Sequence, residues 1–168
     1  MCKIMTESDN GKSREMPYTH IYHILLPCLF IFVYTLDVVF FHFSTFLDEF
    51  ISLFLRVPLF IISLVLAWYF QHMAHKTLFK DHKPSDTLIT TGILGHVRNP
   101  MYLGIVLIYI AFLFLNISLL AFGVFIVAFI IYNRMINFEE GELVKLFGQE
   151  FLEYKKKVPK WIPKLKKF

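Results

Sequence analysis

The chain has 168 residues, of which 57% are hydrophobic, 18% aromatic and only 18% charged, with a formal net charge of +4. Soluble domains average roughly 25% charged and 45–50% apolar residues, and the 20 Phe of this chain cannot all hide in one small water-soluble core. The same figures exclude disorder, collagen and coiled coil, and the two cysteines, Cys2 and Cys28, exclude a disulfide framework or a Cys-rich zinc site, which leaves an all-α integral membrane protein.

Residues 1–20 are polar and mixed in charge; with no apolar core they read as a cytosolic segment, not as a cleaved signal peptide. The rest, 21–168, reads as a single membrane domain. A spanning helix takes about 20 mostly apolar residues. The first is predicted over 21–43, interrupted only by His23, Asp37 and His42, with Asp37 turned toward the bundle. The second covers 50–70, with Arg56 and Pro58 near its start; Pro27 and Pro58 are tolerable in a first turn or as kinks.

Met101 to Tyr132 carries no charged residue over 32 positions. One helix of that length would measure about 48 Å, well beyond a hydrocarbon core of about 30 Å. Asn116-Ile117-Ser118 is its only polar interruption, and predicts a tight turn between spans at 99–115 and 118–138. About four transmembrane helices result.

Lys and Arg set their orientation. Lys3, Lys12 and Arg14 lie in the N-terminal segment, Lys76, Lys80, Lys83 and Arg98 in the 71–98 connection, and Arg134 with eight lysines at or beyond the fourth span. The connections at 44–49 and 116–117 have neither Lys nor Arg, so both termini and residues 71–98 are expected on the cytosolic side. An amphipathic helix is predicted over about 139–157, where Leu143, Phe147, Phe151, Tyr154 and Val158 recur at helical spacing with Gly148 as a weak point. The lysines from 155 onward, beside Trp161, read as anchors at the anionic headgroup layer.

The densest polar segment runs from Asp86 to Gly104. Asn99 suits a helix N-cap and Pro100 a first helical position, while Gly92 and Gly95 supply backbone freedom. Arg98 is the anomaly. A cation at a helix N-terminus opposes the macrodipole, so a carboxylate or bound anion should accompany it. Glu139 and Glu140, where the fourth span leaves the membrane, repel each other and would gain from Arg98, Arg134 or a ligand's ammonium group. Read from chemistry alone, they are equally a solvated helix end or a functional pair. His72, His75, His82 and His96 make an incomplete ligand set, so interfacial histidines are expected and no metal.

Three motifs occur in order: Leu88-Ile89-x-x-Gly92, then Arg98-Asn99-Pro100-Met101-Tyr102-Leu103-Gly104, then Glu139-Glu140-x-x-Leu143-x-x-x-Phe147-Gly148-x-x-Phe151-x-x-Tyr154-x-x-x-Val158. Together they resemble the isoprenylcysteine carboxyl methyltransferase family, most closely its short prokaryotic-type members, which belong with the phospholipid methyltransferases. The resemblance covers about residues 72–163. It implies an S-adenosylmethionine-dependent enzyme with a cytosolic cofactor pocket bordered by Asp86, Thr87, Leu88, Ile89, Gly92, Leu94, Asn99, Pro100, Met101, Tyr102 and Glu139. It also implies Arg98, Glu140 and Arg134 as candidates for the catalytic centre.

Three positions depart from the family pattern. Leu94 stands where a cofactor-contacting Tyr is usual, and Asn99 where a His is usual. Met135 stands where an Arg is associated with the prenylcysteine carboxylate, leaving Arg134 as the nearest cation, turned by about 100° on a helix. The resemblance therefore implies a lipophilic acceptor, either the carboxyl of a prenylcysteine-like molecule or the amine of a phospholipid. Membrane lipids are the expected surroundings, and no nucleic-acid partner is expected. Two alternatives remain: an NADPH-dependent membrane reductase of the sterol-reductase type, and a non-enzymatic four-helix adaptor. The first calls for more spans and more basic residues than the chain has, and the second leaves Arg98, Asn99 and the Glu pair unexplained.

Overall fold

The computed structural model describes residues 19–78 and 87–164, and every regular element among them is helical. α1 (Thr19–Thr35) runs into a π-helical turn (Leu36–Phe41), and a 3₁₀ turn (Phe46–Glu49) precedes α2 (Leu53–Leu78). A second 3₁₀ turn (Gly92–Gly95) leads to α3 (Pro100–Leu115), then α4 (Leu119–Phe147) and α5 (Gln149–Lys157). Asp86, His82, Lys80 and Lys83, with most of the polar N-terminal segment, lie outside the described residues.

The chain is an integral membrane protein. Thr19–Phe41, Leu53–Leu78 and Leu119–Phe147, at 23, 26 and 29 residues, are long and apolar enough to cross a bilayer. α3 is apolar throughout but has only 16 residues, about 24 Å of helix. α2 shows the bilayer as its solvent: Phe54, Ile61, Ile62, Val65 and Trp68 are exposed on a helix apolar on nearly every side.

Helix ends differ from expectation where hydropathy changes but helicity does not. α2 begins at Leu53, after Ser52 accepts the amide of Phe54 on its Oγ, and continues past residue 70 because Gln71 to Lys76 contains no breaker. The region 139–157 is not one helix. α4 runs unbroken through Glu139 and Glu140 to Phe147, since nothing there ends it, and Gly148 at φ +54° separates α5. Pro27 and Pro58 both lie inside helices.

The described residues fall into two compact units, one of residues 19–67 and 105–134, the other of 68–78, 87–104 and 135–164. The first has an aromatic interior. Phe30 meets Tyr109 edge-on at 4.7 Å between ring centroids, Tyr34 meets Phe112 at 5.6 Å, and the Tyr109 and Tyr132 hydroxyls lie 3.2 Å apart.

A polar cluster closes one end of this unit. Asp37, 1% exposed, accepts hydrogen bonds from the Ser44 amide (3.0 Å), the Ser44 hydroxyl and the Ser118 hydroxyl. The π-helical turn and His42, at φ +50° with its amide on Asp37 O, return the chain so that Ser44 reaches back to Asp37. Ser118 Oγ also accepts the Ala121 amide and so caps α4. The Asn116–Ser118 turn between α3 and α4 is tied down by Asn116 donating to the Tyr34 hydroxyl (2.9 Å) and by Asp48 accepting the Ile117 amide (2.8 Å). Arg56 pairs with Asp48 and donates to Leu115 O.

The second unit has a smaller apolar cluster, Phe151, Tyr154 and Val158 packed with Leu88, Leu143, Val144 and Phe147. Gly92 is required at the turn that leads to α3. Its φ is +62°, and a Cβ there would meet Thr77 Oγ1 at 2.9 Å.

Asp37→Ala leaves the Ser44 and Ser118 hydroxyls without their buried acceptor, at a cost of about 3 kcal/mol. Thermal unfolding in detergent should fall clearly for Asp37→Ala and less for Ser118→Ala; an unchanged midpoint for Asp37→Ala would contradict a stabilising role.

Candidate active site

The second unit assembles most of the sequence-predicted site around one carboxylate. Glu140, 3% exposed on α4, has its Oε1 3.2 Å from Arg98 Nε and its Oε2 2.8 Å from Lys155 Nζ on α5. Asn99 directs its side-chain amide at the same Oε1, at 3.4 Å. Glu140 is thus the carboxylate that Arg98 needs at the start of α3. The Arg98 pair is an ion pair without hydrogen-bond alignment, so a buried Arg98 Nε–H is left without an aligned acceptor. The Arg98 Nη1 donates instead to Lys155 O at 2.8 Å.

Glu139 is placed differently. Half-buried, it accepts a 2.5 Å hydrogen bond from the Tyr102 hydroxyl on α3. That phenol fixes the carboxylate's direction while adding no charge. One turn earlier on α4, Met135 and Ile136 are fully buried, so the inner face of the turn preceding Glu139 is apolar.

The segment before α3 is held by the C-terminal segment. Tyr154 donates its hydroxyl to Leu94 O at 2.7 Å, and burial pushes the pKa of this phenol up, beyond any physiological titration. Arg98 N donates to Pro159 O, Lys164 N donates to His96 O, and His96 Nδ1 donates back to Lys164 O at 2.7 Å. Lys160 donates to Asn137 Oδ1 on α4 at 2.7 Å, and burial lowers its ammonium's pKa from the usual lysine value.

Arg98, Asn99, Tyr102, Glu139 and Glu140 are therefore brought together. Pro100 is buried at the first position of α3, and Met101, half-buried, receives the Gln71 side-chain amide on its carbonyl at 3.3 Å. Leu94 contributes its carbonyl to Tyr154, Leu88 packs in the apolar cluster, Ile89 is half-buried, and Thr87 and Gly92 are exposed. Arg134 is exposed on α4 and makes no ion pair among the described residues, so it does not join this cluster. Lys155 and Tyr154 were legible only as an anchoring lysine and a member of an apolar stripe; their polar ends carry contacts that spacing does not reveal.

Residues 51–150, which hold the Arg98–Tyr102 segment and both glutamates, match the phospholipid methyltransferase family model. The chain belongs to that family. It is 34% identical over 97 residues to a protein-S-isoprenylcysteine O-methyltransferase of Schizosaccharomyces pombe, covering 56% of this chain and 39% of the relative. It is 35% identical over 83 residues to a protein-S-isoprenylcysteine O-methyltransferase of Xenopus laevis, covering 49% of this chain and 29% of the relative. The chain thus spans well under half the length of these relatives. No solved structure matches it.

Glu140→Gln strips the buried Arg98 and the exposed Lys155 of their shared counter-charge, and breaking the buried Arg98 pair alone costs about 3 kcal/mol or more. Glu142, which pairs with Lys145 on the exposed side of α4, is the comparison, and Glu142→Gln should cost under about 1 kcal/mol. Thermal unfolding of the two variants in detergent separates them; equal losses would contradict the central role of Glu140.

Proposed function

We propose that this chain is an S-adenosylmethionine-dependent methyltransferase of the membrane, with a cytosol-facing site that acts on a lipophilic acceptor. The observation that carries the reading is the meeting of Arg98, Asn99 and Tyr102 with Glu139 and Glu140 inside the family-matched stretch. The residues suit the proposed cofactor, whose amino-acid end presents an ammonium and a carboxylate. Glu139, aimed by Tyr102, is a fixed acceptor for the ammonium or a ribose hydroxyl.

The cofactor, when bound, supplies an activated methyl group on a sulfonium. The chain's own residues bind, orient and keep water out. Glu140 is committed to two cations and an amide, so it and Arg98 act as positioning residues that hold the start of α3 against α4 and α5. An amine acceptor needs a group to take its proton, while a carboxylate acceptor needs no base. The Nδ1 of His96 is already bonded to Lys164 O, so only Nε2 would remain for that task. Arg134 is left out of the proposed site.

The relatives are named for an isoprenylcysteine acceptor and the family for phospholipids. With Met135 buried where a carboxylate-associated Arg is usual in the former, we propose a membrane-partitioned acceptor and admit both a phospholipid amine and a prenylated thiol-acid. Neither a reductase nor an adaptor accounts for this site. The proposed topology has α3 as a fourth, short span, with residues 1–20, α5 and the site on the cytosolic side.

Binding of S-adenosylhomocysteine to the detergent-solubilised chain tests the cofactor assignment. Glu139→Gln removes a charged acceptor that contributes roughly 1.5–3 kcal/mol, a loss of about ten-fold or more in affinity. Tyr102→Phe should cost less and Glu142→Gln nothing; equal effects at Glu139 and Glu142 would remove the basis for the assignment. Topology has its own test, by single cysteines at Glu49, Lys76 and Lys145 in a chain without Cys2 and Cys28. Lys76 and Lys145 should label from one side and Glu49 from the other, whereas Glu49 and Lys145 sharing a side would mean that α3 does not cross.

A further inference from the structure

We propose that the loop Pro159–Lys164 is a preformed anchor for the anionic headgroup layer of the bilayer, built onto the same segment that carries Arg98. The loop is held at both ends. Pro159 O accepts the Arg98 amide at 3.0 Å, and Lys164 exchanges two hydrogen bonds with His96. Lys164 Nζ donates to Lys157 O at 2.8 Å, and Pro159 and Pro163 restrict the backbone on either side of the tip. A loop fixed in this way loses little conformational freedom on meeting a surface.

Its tip is apolar and its surroundings are basic. Ile162 is 80% exposed at the tip, next to Trp161, an aromatic suited to the headgroup layer. The buried face of α5 is already filled by Phe151, Tyr154 and Val158, so Ile162 is not part of that cluster. From Tyr154 to Lys164 there is no acidic residue, and Lys156, Lys157 and Lys164 are exposed. An apolar tip among lysines fits a surface with hydrocarbon beneath negative charge.

Depth is set by one contact. Lys160 Nζ donates to Asn137 Oδ1, and Asn137 lies on α4 between Ile136 and Phe138, where the uncharged stretch ending near Tyr132 has given way to Arg134, Glu139 and Glu140. The contact holds the loop beside the part of α4 that enters the headgroup layer. Docking of the loop on anionic lipid would therefore also fix the depth of the Arg98 segment.

The test uses the full chain in nanodiscs, with Cys2→Ser and Cys28→Ser, and a nitroxide on Ile162→Cys. Accessibility to oxygen and to a water-soluble nickel complex is read by electron paramagnetic resonance, in phosphatidylcholine alone and in a phosphatidylcholine–phosphatidylglycerol mixture. No methyl donor or acceptor is present, so the outcome is separate from that of the methyltransferase reading. The label should shift toward oxygen and away from nickel in the anionic discs, and Lys156→Gln with Lys157→Gln should abolish the shift. A label equally open to nickel in both compositions overturns the proposal. So does one equally embedded in both, since that is insertion without any part for anionic lipid.

Discussion

Two helices of the second unit, α4 and α5, and the segment that enters α3 meet on the carboxylate of Glu140. α4 contributes the acid, the segment entering α3 contributes Arg98 and Asn99, and α5 contributes Lys155. A buried carboxylate is costly unless its charge is answered, and two cations and an amide answer it here. The same contacts relieve Arg98 of its unfavourable place at the head of a helix. Because Arg98 also donates to Lys155 O, the attachment of α5 and the conformation of the α3 entry depend on each other.

That arrangement divides the work of two adjacent glutamates. Consecutive residues on a helix point about 100° apart, so Glu140 turns into the cluster while Glu139 turns toward Tyr102. One acid is satisfied by charge and the other is steered by a neutral phenol. Both carboxylates are thus given a fixed partner from a neighbouring element of the same unit.

Much of this was legible in the sequence, for identifiable reasons. Hydropathy located the long apolar helices, and length arithmetic placed the turn at Asn116–Ser118, where α3 ends at Leu115 and α4 begins at Leu119. The dipole argument called for a carboxylate beside Arg98, though it left Glu139, Glu140 and a ligand all eligible. What escaped was whatever depends on helicity alone or on a side chain's far end. Hydropathy drops at Glu139, yet α4 continues to Phe147 because helix propensity does not drop with it. Asn99 suited a cap, and its side-chain amide also reaches Glu140, a contact that spacing does not reveal. Lys155 looked like its neighbours Lys156 and Lys157, and only the fold selects it for Glu140.

The buried Asp37 has a consequence for how the chain is made. Synthesis proceeds from the N-terminus, so α1 is exposed to the bilayer long before Ser118, 81 residues later, has been polymerised. A bare carboxylate in that position would tend to expel the segment from hydrocarbon. Ser44 follows Asp37 by only seven residues, and it supplies both a backbone amide and a hydroxyl to the acid. Two of the three donors are thus local to the first hairpin of the nascent chain. The third arrives with α4, so the last bond to Asp37 closes only when the final apolar helix begins to take its place.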